Sequence, residues 1–148
     1  MPGRYFEDFQ VGETFLTPGR TITETDVISF ANLSGNHNEI HTNREYCKSL
    51  GMSDLVPPFL LIVSLAAGLI QRTGLFEGSP RAFKHLDWTA VNPPRIGDTI
   101  HARIEISALE AATGGGGLLR RAVDVIDQEA RLIHTGFHEL VLASRPAA

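Results

Sequence analysis

The chain is poor in cysteine, and its first residues do not show the pattern of a signal peptide. It has one cysteine among 148 residues, which excludes an internal disulfide. A lone thiol fits a reducing compartment. The N-terminus lacks the basic-then-apolar pattern of a signal peptide, so export is not expected. These absences together predict a cytoplasmic protein.

A long hydrophobic run is also missing. The longest apolar stretch extends from Val56 to Ile70, at about 15 residues, whereas a membrane-spanning helix needs about 20. Pro57 and Pro58 interrupt the stretch near its start. We therefore interpret it as a buried helix and expect no membrane association.

An excess of positive charge, which nucleic-acid-binding proteins usually show, is absent as well. The formal net charge is −4, so the sequence gives no reason to expect a nucleic-acid partner. Hydrophobic residues make up 43% and charged residues 20%, as in an ordinary globular protein. A chain of this length predicts one domain over residues 1–148, which buries about two-thirds of its unfolded surface.

The first half of the sequence predicts one strand and three helices. Residues 11–23 alternate loosely and predict the strand. Thr25 is the predicted cap of a first helix that Gly35 ends, and Asn43 the predicted cap of a second that reaches Leu50. The third is predicted over residues 59–73. Because it is apolar on nearly every side, other structure must wrap it on most sides.

The second half supplies that wrapping. Residues 100–108, 118–126 and 132–142 alternate between apolar and polar side chains, the pattern of half-buried strands. Such alternation favours antiparallel pairing. We predict an α+β fold in which a curved antiparallel sheet holds one apolar helix in its concave face.

The densest group of chemically capable residues lies between Ser34 and His41. This segment contains the histidines His37 and His41, a carboxylate at Glu39, and amides at Asn36 and Asn38. Such groups can hold a water molecule, and an imidazole can transfer its proton. His41 is the foremost catalytic candidate, although a lone histidine often only braces a loop.

The run from Phe30 to Cys47 resembles the signature of the MaoC-like dehydratases, the (R)-specific enoyl-CoA hydratase group. Ser34-Gly35, Asn38, His41 and Cys47 match that signature, whereas Asn36 replaces the family's catalytic Asp and Glu39 its Pro. Further similarity lies in three segments along the chain, at residues 5–12, 83–88 and 92–99. The resemblance implies the hot-dog fold, a curved antiparallel sheet around a long central helix.

The resemblance also implies an activity, the addition of water across the 2,3 double bond of an acyl thioester or its removal. His41 would be catalytic, with Asn36 in the place of the acid and Glu39 as a possible substitute base. Substrate-binding candidates are Gly35 and Asn38 from the signature, and Phe59 and Leu60 at the start of the central helix. The family implies coenzyme A as the substrate carrier, a homodimer, and no metal or other cofactor.

Two other functions remain open. The changes at Asn36, Glu39 and Phe59 suit a non-catalytic acyl-CoA binding module, and the same fold could host a thioesterase. Neither histidine pair is interpreted as a metal site. His37 and His41 follow Gly35 in an expected loop, and four strand residues separate His134 from His138 by about 13 Å.

Overall fold

A computed structural model describes residues 3–147. A short 3-10 helix at Phe6–Asp8 precedes six strands and four α-helices. In chain order these are β1 (Thr14–Leu16), β2 (Arg20–Thr21), α1 (Glu24–Ser34), α2 (Glu39–Thr42), α3 (Arg44–Ser49), α4 (Phe59–Gln71), β3 (Pro80–Ala90), β4 (Thr99–Ala111), β5 (Gly117–Ile126) and β6 (Leu132–Leu142).

All strand pairs are antiparallel, as the alternating pattern predicts. The order across the sheet is β1-β4-β5-β6-β3, and β2 pairs with β4 beside β1. Strand β3 is therefore an edge strand, although it follows the central helix directly in sequence. The predicted α+β class and the antiparallel sheet are confirmed.

Helix α4 is the longest helix and supplies one side of the core. Its inner face packs on the sheet, and the buried residues of that face are Leu61, Ile62, Ala66, Leu69 and Ile70. The opposite stripe, which includes Leu60, Ser64 and Gly68, is exposed. The sequence predicts a helix that other structure wraps on most sides. In the isolated chain the sheet covers the inner face, and this one stripe stays exposed.

Several predicted boundaries also move. Thr23, not Thr25, caps α1, because its hydroxyl accepts from the Asp26 amide while the Asp26 carboxylate accepts from the Thr23 amide. The predicted first strand is divided into β1 and β2 by Pro18 and Gly19, since proline cannot donate to the ladder. Helix α4 ends at Gln71, two residues before the predicted end. No helix within residues 3–147 is long and apolar enough to span a membrane.

Burial of α4 predicts a sharp contrast between two leucines. Leu69→Ala removes a side chain that is 1% exposed, and should lower the free energy of unfolding by about 2–5 kcal/mol. Leu33→Ala is the matched control, because Leu33 on α1 is 85% exposed. Urea denaturation at neutral pH measures both. Equal, small losses would contradict the assignment of the core to this face of α4.

Candidate active site

The polar segment after α1 folds through local caps. Gly35 ends α1 in the left-handed conformation, with φ of 74°, a region that favours glycine. Asn38 then caps α2, its side-chain oxygen accepting from the Ile40 amide at 3.3 Å. Asn43 caps α3 in the same way by accepting from the Tyr46 amide at 3.1 Å. The conformations of Gly35 and Asn38 are therefore accounted for by the helix ends.

His41 lies in α2, not in a loop as the sequence suggested, and it is 7% exposed. Its Nδ1 atom lies 2.5 Å from the Val56 carbonyl oxygen, while the Val56 amide donates to the Ile40 carbonyl. A carbonyl can only accept, so His41 carries its proton on Nδ1. The Nε2 lone pair remains available as a base.

A cavity of about 520 Å³ lies against this histidine. Its walls come from the segment between α1 and α2, from α2, from the segment before α4 and the first residue of α4, from the end of β3 and the loop after it, and from β6. The lining residues are Asn36, Ile40, His41, Val56, Pro57, Phe59, Ala90, Val91, Asn92, Pro93, Pro94 and His134. The lining is mainly apolar with a few convergent polar groups, as in small-molecule sites generally.

The structure brings only part of the predicted site together. His41, Asn36 and Phe59 line the cavity. Glu39 is not among the described residues that line the cavity. Its carboxylate accepts a hydrogen bond from the side-chain amide of Asn43 at 2.9 Å instead. Leu60, which is 57% exposed, also lies outside the lining.

Gly35 and Asn38 likewise form no part of the described cavity wall. The physical reason is helical geometry. Once Asn38 caps α2, Ile40 and His41 turn toward the cavity, while Glu39 on the first turn turns toward α3.

His134 is a cavity residue that the sequence reasoning missed. It lies on β6, is 2% exposed, and its Nδ1 atom accepts a hydrogen bond from the Trp88 indole N–H at 2.9 Å. Burial lowers the pKa of His134 to about 4. The sequence did contain a signal for His134. His134 and His138 are four residues apart on a predicted strand, so both side chains lie on the same face of the sheet, and both are buried.

A second buried histidine, His138, lies outside the cavity wall and forms an aromatic cluster with Trp88 and His134. His138 Nδ1 accepts from the Arg121 guanidinium at 3.2 Å, and the His138 ring stacks on Trp88 with centroids 5.1 Å apart. Burial, and then the charge of Arg121, lowers the pKa of His138 to about 3. Burial also lowers the pKa of Arg121 to about 10, and its guanidinium lies over the Phe76 ring.

A smaller cavity of about 340 Å³ adjoins the first. The two cavities share Val56, Pro93 and Pro94 as lining residues, so these three side chains stand between them. Arg95, in the segment between β3 and β4, and Asp54, in the segment between α3 and α4, are charged residues that line the smaller cavity. Within residues 3–147 no group of three His, Cys, Asp or Glu side chains is placed to hold a metal ion.

Comparison with known proteins gives consistent matches. The family model described as "MaoC like domain" matches residues 8–126. Protein MaoC of Klebsiella aerogenes is 33% identical over 102 residues, which cover 68% of this chain and 30% of that protein. The 3-hydroxybutyryl-CoA dehydratase of Methylorubrum extorquens is 27% identical over 105 residues, which cover 71% of this chain and 65% of that enzyme. The chain thus spans less than two-thirds of either relative.

A solved structure agrees over nearly the whole length. The monoamine oxidase regulatory protein from Archaeoglobus fulgius superposes with a TM-score of 0.90 at 27% sequence identity. The match covers 99% of this chain and 98% of that one. The hot-dog fold implied by the signature is confirmed.

The two buried histidines predict a pH dependence of stability. Their pKa values of about 4 and about 3 lie below the value of about 6.5 for an unfolded chain. Between pH 6.5 and 4 the unfolded state binds protons that the folded state does not. The free energy of unfolding should therefore fall as the pH falls, by on the order of 1 kcal/mol per pH unit for each histidine.

Urea denaturation between pH 7 and pH 4.5 tests this slope. His134→Phe should reduce the slope, whereas the control His37→Gln, at an exposed position between α1 and α2, should retain it. The carboxylates with lowered pKa, such as Asp26 and Asp124, affect the slope mainly near and below pH 4, where the unfolded chain begins to protonate them and their stabilising contribution is lost. An unchanged slope in His134→Phe would contradict the buried neutral state.

Proposed function

Because the chain belongs to the MaoC-like domain family, we propose that it adds water to the 2,3 double bond of an acyl thioester, or removes it. The observation that carries this proposal is that His41 and Asn36 line the same cavity, and that the Nδ1 contact of His41 leaves its Nε2 lone pair available. Coenzyme A is the proposed carrier. The name of the Methylorubrum relative, a 3-hydroxybutyryl-CoA dehydratase, supports this substrate class.

The proposed reaction needs one base and one water molecule. Asn36 orients the water by hydrogen bonding, since an amide cannot accept a proton at neutral pH. His41 Nε2 takes a proton from the water as its oxygen bonds to carbon 3. The double-bond electrons move toward the thioester oxygen as an enolate. His41 then returns the proton to carbon 2, so the atoms and charges balance.

The shape of the site supports an acyl thioester. The larger cavity offers an apolar wall for an acyl group, formed by Ile40, Val56 and Phe59. The start of α4 lies in the same wall. The first amides of a helix have no intrahelical partner, and the helix dipole favours negative charge at that end. The adjoining smaller cavity provides a route for the carrier toward Arg95.

We also propose that the protein forms a homodimer through β3. This strand lies at the edge of the sheet, so one row of its backbone groups has no strand beside it in the described chain. Phe83 and Leu86 on this strand are 54% and 39% exposed. Pairing of two β3 strands about a two-fold axis would cover both the polar row and the apolar side chains.

One observation favours a second candidate function, a non-catalytic acyl-CoA binding module. No Asp or Glu contributes to the described wall of the larger cavity, because Asn36 occupies the position of the family's acid and Glu39 turns away. Phe59, which is 41% exposed, offers an apolar surface to a bound acyl chain. Such a module would bind an enoyl thioester and leave it unchanged.

The hydratase proposal predicts the effects of two substitutions at the cavity wall. His41→Gln removes the base and should lower hydration of crotonyl-CoA by about 10²–10⁴-fold, whereas Asn36→Asp adds a second base and should raise it by a comparable factor. Glu39→Gln and His37→Gln are matched controls from the same segment and should stay close to wild type, since both side chains lie outside the described wall. Loss of the absorbance of the conjugated thioester measures the rate.

Product identity separates the alternatives. A 3-hydroxyacyl thioester supports the hydratase, and free coenzyme A thiol would indicate a thioesterase. Saturable binding without turnover in the wild type and in Asn36→Asp would contradict the enzymatic proposal and favour the binding module. Loss of activity in Glu39→Gln would contradict the assignment of the base to His41.

The dimer proposal predicts a mass of twice 16.2 kDa in light scattering at micromolar concentration. Leu86→Arg should shift the protein toward the monomer, because it places a charge in the proposed interface. Leu33→Arg is the matched control, since Leu33 is exposed on α1 and away from β3. A monomeric wild type, or a Leu86→Arg variant that remains dimeric, would contradict pairing through β3.

A further inference from the structure

His134 is held in one protonation form by its neighbour. The indole N–H of Trp88 can only donate, so His134 Nδ1 must accept and His134 carries its own proton on Nε2. Within residues 3–147 this is the only hydrogen bond to the ring. His134 is therefore a hydrogen-bond donor at Nε2, and it cannot serve as a base there without breaking the bond from Trp88.

The position of Trp88 is itself fixed by the sheet. Trp88 on β3 pairs with Gly136 on β6, which lies between His134 and His138. A Cβ atom at Gly136 would lie 2.9 Å from the Trp88 Cα and 2.1 Å from the Asp87 carbonyl oxygen, so the close approach requires glycine. The Trp88 ring then stacks on His138 at 5.1 Å, with an interplanar angle of 19°.

His134 belongs to the cavity as well as to this cluster. Its ring lies 5.0 Å from the ring of Phe59, the first residue of α4, and both residues line the 520 Å³ cavity. His41 lines the same cavity with its proton on Nδ1 and its lone pair on Nε2. One cavity thus holds two imidazoles of opposite tautomer, one suited to accept a proton and one suited to donate a hydrogen bond.

We propose that His134 is a further catalytic residue, which donates a hydrogen bond from Nε2 to the thioester oxygen, and that Trp88 is its positioning residue. This inference rests on the proposed function. As water adds to carbon 3, negative charge develops on the thioester oxygen, and a fixed donor stabilises that charge without transferring its proton. A neutral imidazole suits the role because it remains a donor throughout and adds no charge to the resting site.

Burial supports the same assignment. The low pKa of His134 keeps the ring neutral at physiological pH, so the tautomer set by Trp88 is the form that meets a substrate. A histidine with a purely structural role would also be neutral. It would not need a place in the wall of the cavity beside Phe59. The two roles differ in whether His134 contacts a bound thioester.

The thioester carbonyl can report this hydrogen bond directly. Cinnamoyl-CoA is a suitable probe, because its absorbance moves to longer wavelength when its carbonyl accepts a strong hydrogen bond. Wild-type protein should shift the band on binding, His134→Phe should abolish the shift, and His134→Gln should restore part of it through the amide donor. Trp88→Phe should reduce the shift, since the His134 tautomer is then no longer fixed.

Kinetics with crotonyl-CoA provide a second reading. His134→Phe should lower kcat by about 10²–10³-fold, the usual cost of losing one donor to a developing oxyanion, with a smaller change in KM. The matched control is His37→Gln, an exposed histidine outside the described cavity wall, which should keep both the spectral shift and kcat. Should His134→Phe fail to fold, the His134→Gln and Trp88→Phe shifts decide the question.

The outcomes separate this inference from the proposed function. The role of His134 is overturned if the wild type hydrates crotonyl-CoA and His134→Phe shifts the probe band as much as the wild type does. The same holds if His134→Gln and Trp88→Phe both leave the shift unchanged. In either case the hydratase proposal stands. A wild-type protein that neither binds the probe nor hydrates crotonyl-CoA overturns both. Binding with a His134-dependent shift but no hydration retains the carbonyl contact and overturns the catalytic role.

Discussion

Burial of the apolar helix α4 is the constraint on which the rest of this structure depends. A helix with so many aliphatic side chains cannot face water, and the antiparallel sheet curves around it to cover its inner face. Pro57 and Pro58 fix where the helix begins, since proline is tolerated only in the first turn. The start of α4 therefore lies beside Val56, whose backbone holds α2 and His41 against the cavity. Core packing and the placement of His41, the proposed base, follow from the same segment.

Much of the fold could be predicted because each element carries its own periodic signal. The continuous apolar run gives α4, and alternation gives β4 and β5, whose buried positions follow it closely. Placement of His41 and Asn36 in one cavity wall followed from a local motif within a few residues. The errors at Thr25 and at the first strand are local too. The reciprocal bonds between Thr23 and Asp26 outcompete the later cap, and Pro18 breaks the strand.

The rest of the candidate site could not be read from the chain, because it depends on contacts between distant segments. Glu39 directly precedes the cavity residues Ile40 and His41 in sequence, yet its position on the first turn of α2 directs its side chain toward Asn43. His134 is far from His41 in sequence and reaches the same wall only through the register between β3 and β6. That register also places Trp88 opposite Gly136, and no propensity of a single strand encodes such a pairing.

The amide at Asn36 affects how the proposed reaction would handle charge in the cavity. The described wall contains no carboxylate, so the enolate of that reaction would meet no fixed negative charge there. The positive charge of Arg121 is buried against His138, outside the described wall of the cavity. An aspartate at position 36 would add a second base to the proposed reaction but would also place a negative charge in the same cavity, so the gain from Asn36→Asp should depend on an intact donor at His134.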